Sequence, residues 1–84
     1  MTETRPDDLE IAEELDTCGL LCPLPVLKTR KRLKSLDPGA RLRVLADDPA
    51  ALVDIPHFCT EQGHVLVDQG EEAGVLLFIV ERGR

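Results

Sequence analysis

Val75-Leu76-Leu77-Phe78-Ile79-Val80 is an apolar run without a polar break, close to the end of a chain of 84 residues. A half-exposed strand alternates, so an unbroken run marks a strand buried in the middle of a sheet, or one covered on both faces. It is preceded by the turn-rich Gln69-Gly70-Glu71-Glu72-Ala73-Gly74, and residues 64–68 read as a short strand before that turn, so the chain ends in a hairpin. Further upstream, Leu42, Val44 and Ala46 alternate with Arg41, Arg43 and Leu45, the pattern of a strand with one better-buried face. Between these strands Asp48 is placed to cap a helix, with Pro49 as its first residue, Leu52, Ile55 and Cys59 along one side, and Gly63 at its end. Pro56 is expected to kink or restart that helix, with Asp54 as a second cap.

Toward the N-terminus, Val26, Thr29, Leu33 and Leu36 recur at helical spacing over residues 24–36, and Asp37-Pro38-Gly39 stops the helix. Ile11 and Leu15 share one side of a weak edge strand over residues 11–17, which Gly19 breaks. Residues 1–9 are polar and acidic and read as a flexible tail, which leaves residues 10–84 as one domain. The order is βαβαββ. Two helices on one face of a four-stranded sheet make an α+β two-layer sandwich.

Composition narrows the function. The chain has no tryptophan or tyrosine and only Phe58 and Phe78, which argues against stacking on nucleobases. Net charge is −6, yet five of the ten basic residues, Lys28, Arg30, Lys31, Arg32 and Lys34, fall in one stretch of the first helix. That stretch is either the solvated side of a helix or a docking surface for an acidic partner. No basic-then-apolar leader opens the chain, and no segment nears the ~20 apolar residues of a membrane span, so a cytoplasmic location without membrane contact is expected. Three cysteines, Cys18, Cys22 and Cys59, do not make a disulfide framework in a reducing compartment.

The segment Cys22-Pro23-Leu24-Pro25 carries the chemistry. With Cys22 as N-cap and Pro23 as the first helical residue, neither proline has an amide to leave unsatisfied, and Leu24 supplies the free N–H that points back toward the sulfur. That amide, the helix dipole, and Lys28, Arg30 and Lys31 beyond it all favour a thiolate, so a lowered Cys22 pKa is expected. Pro25 biases Leu24 away from helical dihedrals, which loosens the first turn or shifts the helix start toward Pro25. The plain alternative is a small apolar cysteine at a helix start. A hydrolytic nucleophile needs a histidine base, but His57 and His64 lie in the second half with no sequence reason to face Cys22. A nucleophile with no base, metal or cofactor loop can still carry a group.

Taken together, Leu15-Asp16, Gly19-Leu20, Cys22-Pro23-Leu24-Pro25, Arg30-Lys31, Pro38-Gly39, Asp47-Asp48-Pro49-Ala50, Asp54-Ile55-Pro56 and Phe58-Cys59 resemble, in order and spacing, the TusA or SirA-like family of sulfur carrier proteins. The resemblance covers nearly the whole domain. It implies a mixed four-stranded sheet in the order 1-2-4-3, which puts the apolar final strand in the interior. It also implies that Cys22 accepts sulfane sulfur from a cysteine desulfurase, holds it as a persulfide and passes it to an acceptor protein. The destination is a relay for thiolation of transfer RNA, or related sulfur metabolism such as molybdenum cofactor synthesis. No cofactor is implied, and a relay of this kind releases no small product of its own. Gly19, Pro23, Leu24 and Pro25 would shape the loop, and Lys28, Arg30, Lys31 and Asp47 would meet the partner.

Other residues have other readings. Cys18 departs from the family pattern and reads either as a strand-end cysteine or as a partner for Cys22 in a thiol-based redox switch. Cys59, beside Phe58 on the apolar side of the second helix, reads as core. His57, Cys59 and His64 lack a second pair at ligand spacing, so no metal is expected. Asp47 and Asp48 fit capping better than acid–base work. A nucleic-acid-binding module built on the basic helix is disfavoured by the acidic balance of the chain, and no direct stable nucleic-acid binding is expected.

Overall fold

The computed structural model describes residues 11–83, and the acidic tail expected over residues 1–9 lies outside them. The elements run β1 (Glu13–Asp16), α1 (Leu24–Lys34), β2 (Arg41–Ala46), α2 (Ala51–Gln62), β3 (Val65–Glu72) and β4 (Val75–Glu81). They form one four-stranded sheet in the order β1-β2-β4-β3. β1 is parallel to β2, while β4 is antiparallel to both β2 and β3.

The apolar run therefore occupies an interior strand. Leu76, Phe78 and Val80 pair with Ala46, Val44 and Leu42, and all six are buried in the same core cluster as residues of both helices. Both helices thus cover one face. Ile79 is buried on the other face, in register with Arg43 and Asp68, which is why the run shows no polar break. Each buried side chain of this size contributes about 1.5–3 kcal/mol, and a one-residue slip of β2 would carry Arg41 and Arg43 into the core.

α1 buries Pro25, Thr29 and Leu33 at spacings of four. Thr29 Oγ1 donates to the Pro25 carbonyl at 2.8 Å, so its buried hydroxyl is satisfied. The helix ends two residues before Leu36, because Ser35 and Leu36 donate to the Arg32 and Leu33 carbonyls in tighter i→i−3 bonds. Lys31, Arg32 and Lys34 lie in the last turn, where cations complement the helix dipole.

Three expectations are corrected. α2 begins at Ala51 with Ala50 as its N-cap, and Asp48 acts one turn earlier by accepting the Ala50 N–H at 3.0 Å. Pro56 lies inside α2 without ending it, and Asp54 is no second cap. The carbonyl that Pro56 leaves without a donor belongs to Leu52, on an exposed side of the helix where water is available. β3 extends to Glu72, and the turn contracts to Ala73-Gly74, with φ of 52° and 83°. Two successive positive φ values give the hairpin turn whose twist matches its strands, and polar residues suit a strand at the sheet edge. A bulge between Leu66 and Asp68 breaks the register of β3.

Candidate functional site

Because β1 and β2 are parallel, the loops that follow them leave the same end of the sheet. The first loop, residues 17–23, is pinned to the end of β2 at three points. Thr17 N–H donates to the Leu45 carbonyl at 2.7 Å, Gly19 N–H to Asp47 Oδ1 at 3.0 Å, and Cys22 N–H to Asp48 Oδ2 at 2.8 Å. Thr17 is fully buried and its Oγ1 donates to the same Leu45 carbonyl. Gly19 turns the loop at φ 87°, a region that side chains resist. The amides of Ala50 and Cys22 hold the Asp48 carboxyl below its ordinary range.

Asp47 and Asp48 are thus builders of the site, a role that capping did not anticipate. The signal was present in the sequence: two acceptors at the end of one strand, beside the amide-rich loop of a parallel neighbour. Asp47 remains exposed, but its carboxylate is engaged with Gly19.

Cys22 is exposed, Cys18 is partly buried and Cys59 is buried, and all three are free thiols. The helix start differs from expectation. Pro23, joined to Cys22 by a cis peptide bond, occupies the N-cap, so Cys22 lies one residue ahead of it. Leu24 N–H donates to the Leu21 carbonyl at 2.8 Å instead of pointing at the sulfur. Cys22 instead lies in a groove of about 230 Å³ with Pro23, Val26, Asp54, His57, Phe58 and Glu61. The Asp54 carboxylate hydrogen-bonds the thiol; together with desolvation and the charges of Asp54 and Asp48, it pushes the Cys22 pKa up. The expected lowering is therefore overturned. The amide that was to stabilise a thiolate is used within the loop, and two carboxylates stand near the sulfur.

His57 shares the groove, 3.6 Å from Glu61, although nothing in its sequence position suggested it. Cys18 N–H donates to Asp16 Oδ1 at 2.9 Å, and desolvation, then Asp16 and Asp47, push the Cys18 thiol up. Cys59 packs with Ile55 and Phe58 in the core, where burial takes its pKa to about 11. His64 Nδ1 accepts the Gly83 N–H at 2.9 Å and does not converge with His57 or Cys59. Among the described residues no group of three or more metal-ligating side chains comes together.

Lys28, Arg30 and Lys31 are all exposed but do not share one surface. Lys28 and Lys31 border a groove of about 460 Å³ between α1 and β1, with Leu15, Leu24, Leu27 and Arg32. Arg32 is tied across it to Glu13 at 2.9 Å. Arg30 lies outside this groove. No helix among the described residues is long and apolar enough to cross a membrane.

Residues 13–82 match the protein family described as sulfurtransferase TusA. The chain belongs to the TusA family. It is 39% identical over 79 residues to the sulfur carrier protein TusA of Pseudomonas fluorescens, covering 94% of this chain and 95% of that one. It is 46% identical over 68 residues to the sulfur carrier protein TusA of Pseudomonas aeruginosa, covering 81% and 86%. A SirA-like protein of Desulfitobacterium hafniense has the same fold in its crystal structure. The TM-score is 0.75 at 23% identity, over 86% of this TusA-family chain and 99% of that one.

Proposed function

We propose that the protein is a cytoplasmic sulfur carrier in which Cys22 accepts sulfane sulfur from a cysteine desulfurase and passes it to an acceptor protein. The observation that carries this reading is that Cys22 alone among the three thiols is exposed, at the head of α1 on a loop pinned by the Thr17, Gly19 and Cys22 amides. The names of its relatives support it. In loading, Cys22 Sγ bonds to the outer sulfur of the donor's persulfide, the donor S–S bond breaks, and its electron pair and a proton end on the donor's inner sulfur. In delivery an acceptor thiolate repeats that attack on the Cys22 persulfide, and Cys22 leaves as the thiol. The acceptor belongs to a relay for thiolation of transfer RNA or to related sulfur metabolism. Gly19, Pro23, Leu24 and Pro25 shape the loop, and Lys28, Arg30, Lys31 and Asp47 face the partner. Neither a resident cofactor nor stable nucleic-acid binding enters this reading.

The test is intact-protein mass spectrometry after incubation with a cysteine desulfurase and cysteine. Wild type and Cys18→Ser are expected to gain one sulfur atom that reduction removes, and Cys22→Ser to gain none. A Cys18–Cys22 disulfide on mild oxidation, with no sulfur gain from any desulfurase, would replace the carrier reading with a redox switch.

A further inference from the structure

Asp54 stands in the first turn of α2 and Cys22 just ahead of α1, and their side chains meet in the groove they share. The two are far apart in the chain and are brought together by the packing of α2 beside α1. Asp48 fixes Cys22 from its backbone side, through the N–H bond at 2.8 Å, so only rotation about the side chain remains to the sulfur. An ionised carboxylate is an acceptor only, so the hydrogen in the bond between Asp54 and Cys22 is the thiol's own. That bond exists only while Cys22 is protonated.

We propose that Asp54 keeps unloaded Cys22 silent: its carboxylate holds the S–H hydrogen of the bare thiol, and it loses that hold once Cys22 carries an extra sulfur. A persulfide has no hydrogen on Sγ, and its ionising atom is the outer sulfur, about 2 Å farther along the side chain. Asp54 therefore decides which state of one residue reacts. The bare thiol is withheld from stray oxidants and electrophiles, whereas the loaded form presents an anion beyond the carboxylate. Asp48 from the β2–α2 loop and Asp54, His57 and Glu61 from α2 are the charged or titratable groups near the thiol, and the α1 side of the groove offers only Pro23 and Val26. The loaded half of this inference rests on the carrier reading, but the masked thiol does not.

The test is the rate at which iodoacetamide alkylates Cys22 in the full chain across pH, in a Cys18→Ser background. Asp54→Asn is expected to move the profile to lower pH. Each tenfold gain in thiolate costs about threefold in intrinsic nucleophilicity, so the rate at pH 7 should rise about threefold for every such gain. Asp54→Glu should stay near the parent, while Glu61→Gln should move the profile less than Asp54→Asn does. An Asp54→Asn profile that superposes on the parent, or a Glu61→Gln shift of equal size, overturns the proposal. The parent gives a second measurement that needs no Asp54 variant: its midpoint must lie above that of N-acetylcysteine, and one below it also overturns the proposal. Sulfur loading of the same samples separates the two readings, since a masked thiol that never gains sulfur removes the carrier reading alone.

Discussion

Cys59 shows how burial turns a thiol into a pH-dependent stability element. Its pKa rises from the ordinary 9.0 to about 11 in the fold, so the folded chain keeps a proton that the unfolded chain gives up. The contribution is complete below pH 9 and is lost as pH rises toward 11, amounting to about 2–3 kcal/mol at the two-unit difference. Urea midpoints of the parent should fall more steeply over that window than those of Cys59→Ala, which lacks the titrating group. Asp48 works in the opposite direction. Its folded pKa lies below the ordinary 3.8, so its support is present above that value and lost as pH falls through the depressed one. Asp48→Ala frees the Cys22 and Ala50 amides, and the expected result is a lower urea midpoint with less change between pH 5 and pH 3 than the parent shows. The two prolines around Leu24 made the placing of Cys22 legible in the sequence. The direction of its pKa was not legible, because Asp54 reaches the sulfur through helix packing that no local pattern encodes.

The strand and helix assignments followed from periodicity wherever one face was buried, as in β2 and α1. They failed where the residues were polar on both sides. Gly70, Glu71 and Glu72 carry turn chemistry, yet they pair with β4 because an edge strand tolerates polar side chains and gains its ladder bonds. The turn that remains places Ala73 at φ 52°, a conformation its Cβ disfavours. Ala73→Asn, in the Asn-Gly pairing that such turns prefer, should raise stability by about 0.5–1 kcal/mol in chemical denaturation. Pro56 was read as a break because it removes one backbone bond. α2 continues past it, since Ile55, Phe58 and Cys59 bury their side chains on both sides of that position. Pro56→Ala restores the donor to the Leu52 carbonyl and is expected to stabilise the fold by about 1–2 kcal/mol, read from the thermal midpoint.

Topology followed from one fact, the position of β4 between β2 and β3, with the strand order itself taken from the family resemblance. What holds the far end of the molecule together was invisible in the sequence. Arg82 exchanges backbone bonds with Gly39 and Ala40, and its guanidinium donates to the Leu36 carbonyl. Beside it a Cβ on Gly83 would meet the Gly63 carbonyl oxygen at 1.8 Å. Gly83→Ala must push away the residue that caps α2, at an expected cost of about 1–3 kcal/mol in a denaturation curve. Charge is a property of the whole chain as well. A net −6 carrying five cations on one helix predicts that Lys28→Glu with Lys31→Glu slows association with a desulfurase and flattens its dependence on salt. Finally, the three amides that pin residues 17–23 to the end of β2 leave the sulfur without a tether. Nothing swings. A protein that takes sulfur from such a chain must open a cleft wide enough to admit the head of α1, and no two proteins can occupy that head together. Each delivery is then a change of company, and traffic is governed by how often whole molecules meet and part.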